Sequence, residues 1–171
     1  MVENTNRILI AVDIQPEFGL TKKADADRYW KIVNFIRHEY RTLEHYDAVF
    51  ATVCKNHLNH NFVKSGVWTD LTAGTKPLDF EATEFFVKYG YGLSDYDLYK
   101  TFIPLAEQGV EFDVIGYNTD CCVLKVALDL FDRGAKVRVL SEYCYSSSGE
   151  EHHQRGVEIL KDLIGTYLVE K

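Results

Sequence analysis

The sequence predicts an α/β fold, a Rossmann-like three-layer sandwich in which a mainly parallel sheet of five or six strands lies between helices on both faces. Strand-like and helix-like patterns alternate along the whole chain, as they do where strands are joined by helical crossovers. Residues 8–12, Ile-Leu-Ile-Ala-Val, form an unbroken apolar run, the mark of a strand covered on both faces. The chain has 171 residues, 46% of them hydrophobic, which is enough for one domain around a sizeable core. No internal repeat, low-complexity segment or linker interrupts it, so residues 1–171 read as a single domain.

The first strand ends at Asp13. A helix is expected over residues 24–43, where Trp30, Val33, Ile36, Tyr40 and Leu43 recur at steps of three and four and mark one apolar stripe. Residues 47–53 read as the second strand. Residues 54–77 are polar and carry Gly66, Gly74 and Pro77, with little periodicity beyond Phe62, Val67 and Trp68, and are expected to form a long functional loop. Residues 84–88 predict a third strand ending in Lys88, turned by Tyr89, Gly90, Tyr91 and Gly92, and helix signals resume at Asp95. Residues 112–116 make a fourth strand. Val123, Leu124, Ala127, Leu128, Leu130 and Phe131 then give a helix apolar on several sides, hence well buried, which Gly134 stops. Residues 136–140 alternate as a fifth strand, Val157, Leu160 and Ile164 give a last amphipathic helix ended by Gly165, and residues 167–169 are placed to close the sheet.

Charge narrows the partners. Lys and Arg total 19 against 26 Asp and Glu, and a net charge of -7 repels both a phosphate backbone and an anionic membrane, so neither nucleic acid nor membrane is an expected partner. Residues 1–7 lack a basic stretch leading into an apolar one, and no apolar run approaches a membrane span, so a cytoplasmic location is expected. The four cysteines accordingly read as thiols rather than a disulfide framework, and Cys121 and Cys122, being adjacent, are poorly placed to pair.

Ligands of open parallel sheets bind outside the carboxyl ends of the strands. Three reactive side chains fall there: Asp13 after the first strand, Lys88 at the end of the third, and Cys122 just after the fourth. Singly each has an ordinary explanation, as a turn residue, a solvated lysine or a small core thiol. Together they make a nucleophile, a proton carrier and a cation. A thiol is mostly protonated at neutral pH and needs a base or a lowered pKa, which Lys88 and a helix N-terminus would supply. Asp13 can take the thiol proton and return it to a leaving nitrogen, and amides of residues 118–122 can meet an oxyanion. Cys54, Cys121 and Cys144 have no such partners and are expected to be structural.

Asp13-Ile14-Gln15 with Phe18, Lys88, and Gly116-Tyr117-Asn118-Thr119-Asp120-Cys121-Cys122-Val123 resemble the isochorismatase-like cysteine hydrolases, which include nicotinamidases. The likeness runs over nearly the whole chain. It implies Cys122 as nucleophile, Asp13 as acid–base and Lys88 as supporting cation. It also implies a cis peptide at Tyr117–Asn118 and an oxyanion hole made by the amides of Asn118 and Cys122. The implied reaction is C–N hydrolysis of a small amide through a thioester, with no cofactor, in a homo-oligomer (dimer or tetramer). Gln15, Phe18, Asn56, Trp68, Tyr89, Tyr91 and Tyr117 are the expected substrate pocket.

Two departures bear on the substrate. Metal-dependent nicotinamidases carry Asp-x-His and a further His after the second strand, whereas here the stretch is Cys54-Lys55-Asn56-His57-Leu58-Asn59-His60. No metal is expected, although Cys54, His57 and His60 are chemically able to bind zinc. Where many relatives have Ser or Thr near the third strand, this chain has Gly92. His152 and His153 follow the small-residue run Ser146-Ser147-Ser148-Gly149 and are expected to sit in a solvated first helical turn. A metal-dependent amidase and a binding domain without turnover stay open beside the leading reading. A flavodoxin-like carrier is less favoured, because Gln15-Pro16-Glu17 replaces a glycine-rich phosphate loop.

Overall fold

A computed structural model describes residues 5–21, 25–69 and 77–170. Six strands, all parallel, form one sheet in the order β3-β2-β1-β4-β5-β6. The strands are β1 (Arg7–Val12), β2 (Ala48–Cys54), β3 (Glu84–Lys88), β4 (Glu111–Tyr117), β5 (Lys136–Tyr145) and β6 (Leu168–Val169). Between them lie α1 (Pro16–Gly19), α2 (Ala26–Thr42), α3 (Asn61–Lys64), α4 (Asp95–Asp97), α5 (Ile103–Glu107), α6 (Leu124–Phe131) and α7 (Glu150–Ile164). Five-residue π turns, Leu98–Phe102 and Thr119–Val123, lead into α5 and α6.

The alternation of side chains along a strand explains the two cores. From β1, Ile8, Ile10 and Val12 face one side, with Phe102, Val126, Leu130 and Leu160. Leu9 and Ala11 face the other, with Tyr29, Ile32, Val33 and Ile36 of α2. A central strand buried twice over must be apolar at every position, which is the run at residues 8–12.

Two expectations shift. Residue 24, the expected helix start, and Gly74 lie outside the described residues. The buried stripe of α2 is Tyr29, Ile32, Val33, Ile36 and Glu39 rather than the one through Trp30, Tyr40 and Leu43. Tyr29 enters the core because its hydroxyl donates to Asp79 at 2.7 Å, and Glu39 because its carboxylate takes His45 Nδ1 at 3.0 Å. Trp30 stays partly exposed, covered by the Arg37 guanidinium 6.0 Å above its ring, and Leu43 is the left-handed residue that caps the helix. The fifth strand also runs five residues further than its alternation indicated, to Tyr145.

Parallel register gathers the strand ends. Val12 of β1 lies opposite both Thr52 of β2 and Gly116 of β4, and Cys54 of β2 lies opposite Lys88 of β3. Gly116 permits the closest of these approaches: its φ is +127°, and a Cβ built there would stand 2.1 Å from the Val12 carbonyl oxygen. Gly116→Ala therefore meets both a forbidden dihedral and a backbone clash, and should cost about 3 kcal/mol of stability, read from denaturant unfolding.

Candidate active site

Asp13 leaves β1 in the left-handed region at φ 48°, a conformation Asp tolerates better than most residues. Its amide donates to the Thr52 carbonyl at 3.2 Å and to the Thr52 hydroxyl at 3.1 Å. The Thr52 hydroxyl in turn donates to Asp13 Oδ1 at 2.6 Å, and Lys88 Nζ donates to Oδ2 at 2.7 Å. Both oxygens of a carboxylate with no exposed surface are thus filled. Lys88 reaches it from two strands away, a span of about 10 Å that only a long side chain bridges. Its ammonium also donates to the Gly90 carbonyl at 3.1 Å.

Cys122 stands beside this pair, 4% exposed, in the π turn that follows β4. The Tyr117–Asn118 peptide before it is cis. Amides of Cys121 and Val123 both donate to the Asn118 carbonyl, at 3.0 and 3.1 Å, and the Asn118 side chain accepts from the Ser147 amide at 2.6 Å. The turn is therefore held closed around the Asn118 carbonyl.

Electrostatics differ from the sequence expectation at one point. Burial pushes the Cys122 thiol well above its ordinary value, the Asp13 charge adds to this, and Lys88 opposes both without overcoming them. The neutral thiol is thus favoured over the thiolate. Burial is the largest single influence on the Lys88 ammonium and works against it, but the Asp13 charge and hydrogen bond, with Cys122 and Cys54, together outweigh it and the net direction is up, so the ammonium persists. Cys54 is pushed up to about 12 by burial and by Asp13. Cys144 is pushed to about 12 and Cys121 to about 11, chiefly by burial in both cases. All four cysteines are free.

Of the expected pocket residues, some converge and some do not. Phe18 and Trp68 meet edge to face at 5.5 Å, the Trp68 indole donates to the Tyr91 hydroxyl at 3.4 Å, and Asn56 donates to the Trp68 carbonyl at 2.7 Å. Tyr89 stacks on His57 at 4.5 Å and is otherwise open to solvent. Gln15 is turned inward: its side chain accepts from the Cys54 amide at 2.7 Å and donates to the Cys54 carbonyl at 3.2 Å, clamping β2 to the β1 end. Tyr117 is fully buried against Tyr29 and Tyr145 in the α2-side core. Both serve the frame rather than a ligand surface.

The candidate zinc ligands do not fit a metal. His60 Nδ1 accepts the Phe62 amide at 3.2 Å as a helix cap, His57 stacks on Tyr89, and the Cys54 thiol lies buried near Asp13 and Lys88. Among the described residues, no three of His, Cys, Asp and Glu gather as a cation requires. Thr52, which orients Asp13, went unremarked in the sequence. Its signal was a hydroxyl at a fully buried position of an otherwise apolar strand.

With this geometry in place, comparison with known proteins gives a family. The isochorismatase domain matches residues 7–169. The chain belongs to the isochorismatase family. It is thereby an enzyme of the hydrolase class, and its all-parallel sheet is the family's fold. Among solved structures it is similar to a nicotinamidase from Bacillus subtilis, at 20% identity, TM-score 0.71, covering 96% of this chain and 99% of that one. It is similar also to a pyrazinamidase of Pyrococcus horikoshii in complex with zinc, at 22% identity, TM-score 0.68, covering 97% and 99%. An isochorismatase-like hydrolase from Alkaliphilus metalliredigens matches at 18% identity, TM-score 0.71, covering 95% and 93%. At these identities the likeness establishes the fold. Comparison with curated proteins finds no significant match. Among the described residues, no helix is long and apolar enough to cross a membrane.

Two outcomes follow for this family member. Lys88→Met strands a buried carboxylate and should cost about 3–5 kcal/mol, whereas Asp13→Asn combined with Lys88→Met should recover most of that loss in the same unfolding assay. Because the Cys122 thiol lies above its ordinary value, its alkylation by iodoacetamide should keep accelerating as pH rises past that value instead of levelling near neutrality, as peptide mapping across a pH series would record.

Proposed function

We propose that this chain is a metal-independent cysteine hydrolase that cleaves the C–N bond of a small amide through a thioester. The observation that carries the proposal is the fully buried Asp13–Lys88 ion pair, 2.7 Å long, with the Cys122 thiol beside it.

Cys122 Sγ attacks the carbonyl carbon while Asp13 takes its proton, so the C–S bond forms without a free thiolate in the resting enzyme. The carbonyl oxygen, now negative, is met by the amides of Asn118 and Cys122. The C–N bond then breaks as Asp13 returns the proton to nitrogen, which leaves as ammonia or an amine. Water attacks the remaining thioester, Asp13 accepts a water proton, and the C–S bond breaks. The acid departs and the proton goes back to sulfur. Lys88 keeps its charge throughout and holds Asp13 Oδ2 in place.

The edge-to-face pair of Phe18 and Trp68, extended by Tyr91, supports a flat, largely apolar body on the substrate. The disposition of Cys54, His57 and His60 supports turnover without a metal. In this reading Asp13 alone manages the protons.

The test is ammonia release across nicotinamide, N-carbamoyl compounds and other small amides. Wild-type protein should release ammonia from at least one of them and keep doing so after dialysis against EDTA. Cys122→Ala should lower kcat by at least about a thousandfold. Mass spectrometry of quenched wild-type enzyme should find an acyl adduct on Cys122. Wild-type activity in Cys122→Ala would end the cysteine mechanism, and loss of activity on chelation, restored by zinc, would end the metal-free one.

A further inference from the structure

His153 was expected in a solvated helical turn. Instead it is 5% exposed, and its Nδ1 lies 2.8 Å from the Thr119 hydroxyl, which belongs to the π turn carrying Cys122. The contact is one of several by which α7 seizes that turn. Gly156, one turn further along α7, brings the helix so close that a Cβ there would stand 2.6 Å from the Asp120 amide nitrogen. His152 meets Asp120 at 3.0 Å on the outer side. The Ser147 amide, on the approach to α7, donates to the Asn118 side chain.

The two neighbouring histidines are therefore not equivalent. His152 makes a partly exposed contact with Asp120, worth little in water. His153 makes a buried hydrogen bond to the residue that directly follows Asn118 and lies three before the thiol. Burial also lowers its affinity for a proton, with Arg28 acting in the same direction and Glu150 and Asp120 opposing, so the ring is held neutral. Its remaining face packs 5.4 Å from the Tyr145 ring at the end of β5 and borders a groove of about 400 Å³ between α2, β5 and α7.

We propose that His153 is a positioning residue: acting through the Thr119 hydroxyl, it sets the turn that aims Cys122 and the Asn118 and Cys122 amides at the substrate carbonyl. The inference rests on Cys122 being the nucleophile. A buried bond is suited to this task because misplacement of a reacting atom by about 1 Å costs on the order of a hundredfold in rate.

The experiment compares Thr119→Val, Thr119→Ser and His153→Gln, using both the Cys122 alkylation rate and steady-state kinetics on whichever amide wild type hydrolyses. Thr119→Val and His153→Gln should each slow alkylation and lower kcat by about tenfold or more with KM nearly unchanged, and the double variant should be no slower than the slower single one. Thr119→Ser, which keeps the hydroxyl, should behave as wild type. A folded Thr119→Val or His153→Gln with wild-type kcat and alkylation would overturn the proposal. So would failure of both variants to fold, which would make the bond a folding contact. Failure of wild-type Cys122 to alkylate would instead overturn the nucleophile assignment on which it rests.

Discussion

Two opposite charges with no exposed surface, Asp13 and Lys88, constrain everything else at the carboxyl end of this sheet. Taking each out of water costs several kcal/mol, and their attraction offsets that only if the geometry is held and the remaining polar atoms are filled. The chain meets both conditions. Thr52 fills the second carboxylate oxygen, the Gly90 carbonyl takes the ammonium, and the Thr52 carbonyl and hydroxyl fix the Asp13 amide. These partners come from three different strand ends, so the pair is satisfied only when β1, β2 and β3 are in register. Gln15 reinforces the same register by clamping the Cys54 backbone. Site and sheet thus share their hydrogen bonds.

The pair also decides the state of the thiol. A helix N-terminus contributes roughly 0.3–1 kcal/mol toward an anion, and Lys88 is already committed to Asp13. Against these stands the removal of Cys122 from water beside an existing negative charge, and burial is the largest influence on it. A second anion next to Asp13 would leave one cation facing two negative charges. The arrangement instead favours a single negative charge that can pass between oxygen and sulfur while Lys88 remains fixed. In the proposed mechanism, protonation of Asp13 and formation of the C–S bond are then two aspects of one event, and the pocket never holds more charge than Lys88 balances.

Much of this was legible in the sequence, for a physical reason. Parallel strands end at one edge, so Asp13, Lys88 and Cys122 are brought together by strand boundaries alone, and boundaries are marked by abrupt changes from apolar to polar residues. Apolar runs located β1 and β3 to within a residue. What was hidden depends on the direction of a side chain within an element. Tyr29 and Glu39 carry polar groups that a periodicity does not place, yet each is buried because a partner satisfies it, Asp79 far along the chain for Tyr29 and His45 across a short turn for Glu39. Gln15 and Tyr117 sit beside the site in sequence but point into the frame. His153 has the same origin: its partner Thr119 is 34 positions away and enters reach only because Gly156 lets α7 close on the turn.

The loop after β2 shows how a small change in donor chemistry alters what a shared frame can hold. A cation needs several ligands with free lone pairs aimed at one point. Here the residue at the β2 terminus is Cys54, whose thiol is kept protonated by burial and by Asp13. His60 has given one ring nitrogen to the start of α3, and His57 lies flat on Tyr89. Each potential ligand is thus engaged in local structure. Asn56, between them, is turned to the Trp68 carbonyl and fixes that residue at a positive φ of 52°, with its ring against Phe18. In this chain the segment's polar groups hold an aromatic wall, Trp68 against Phe18, in place.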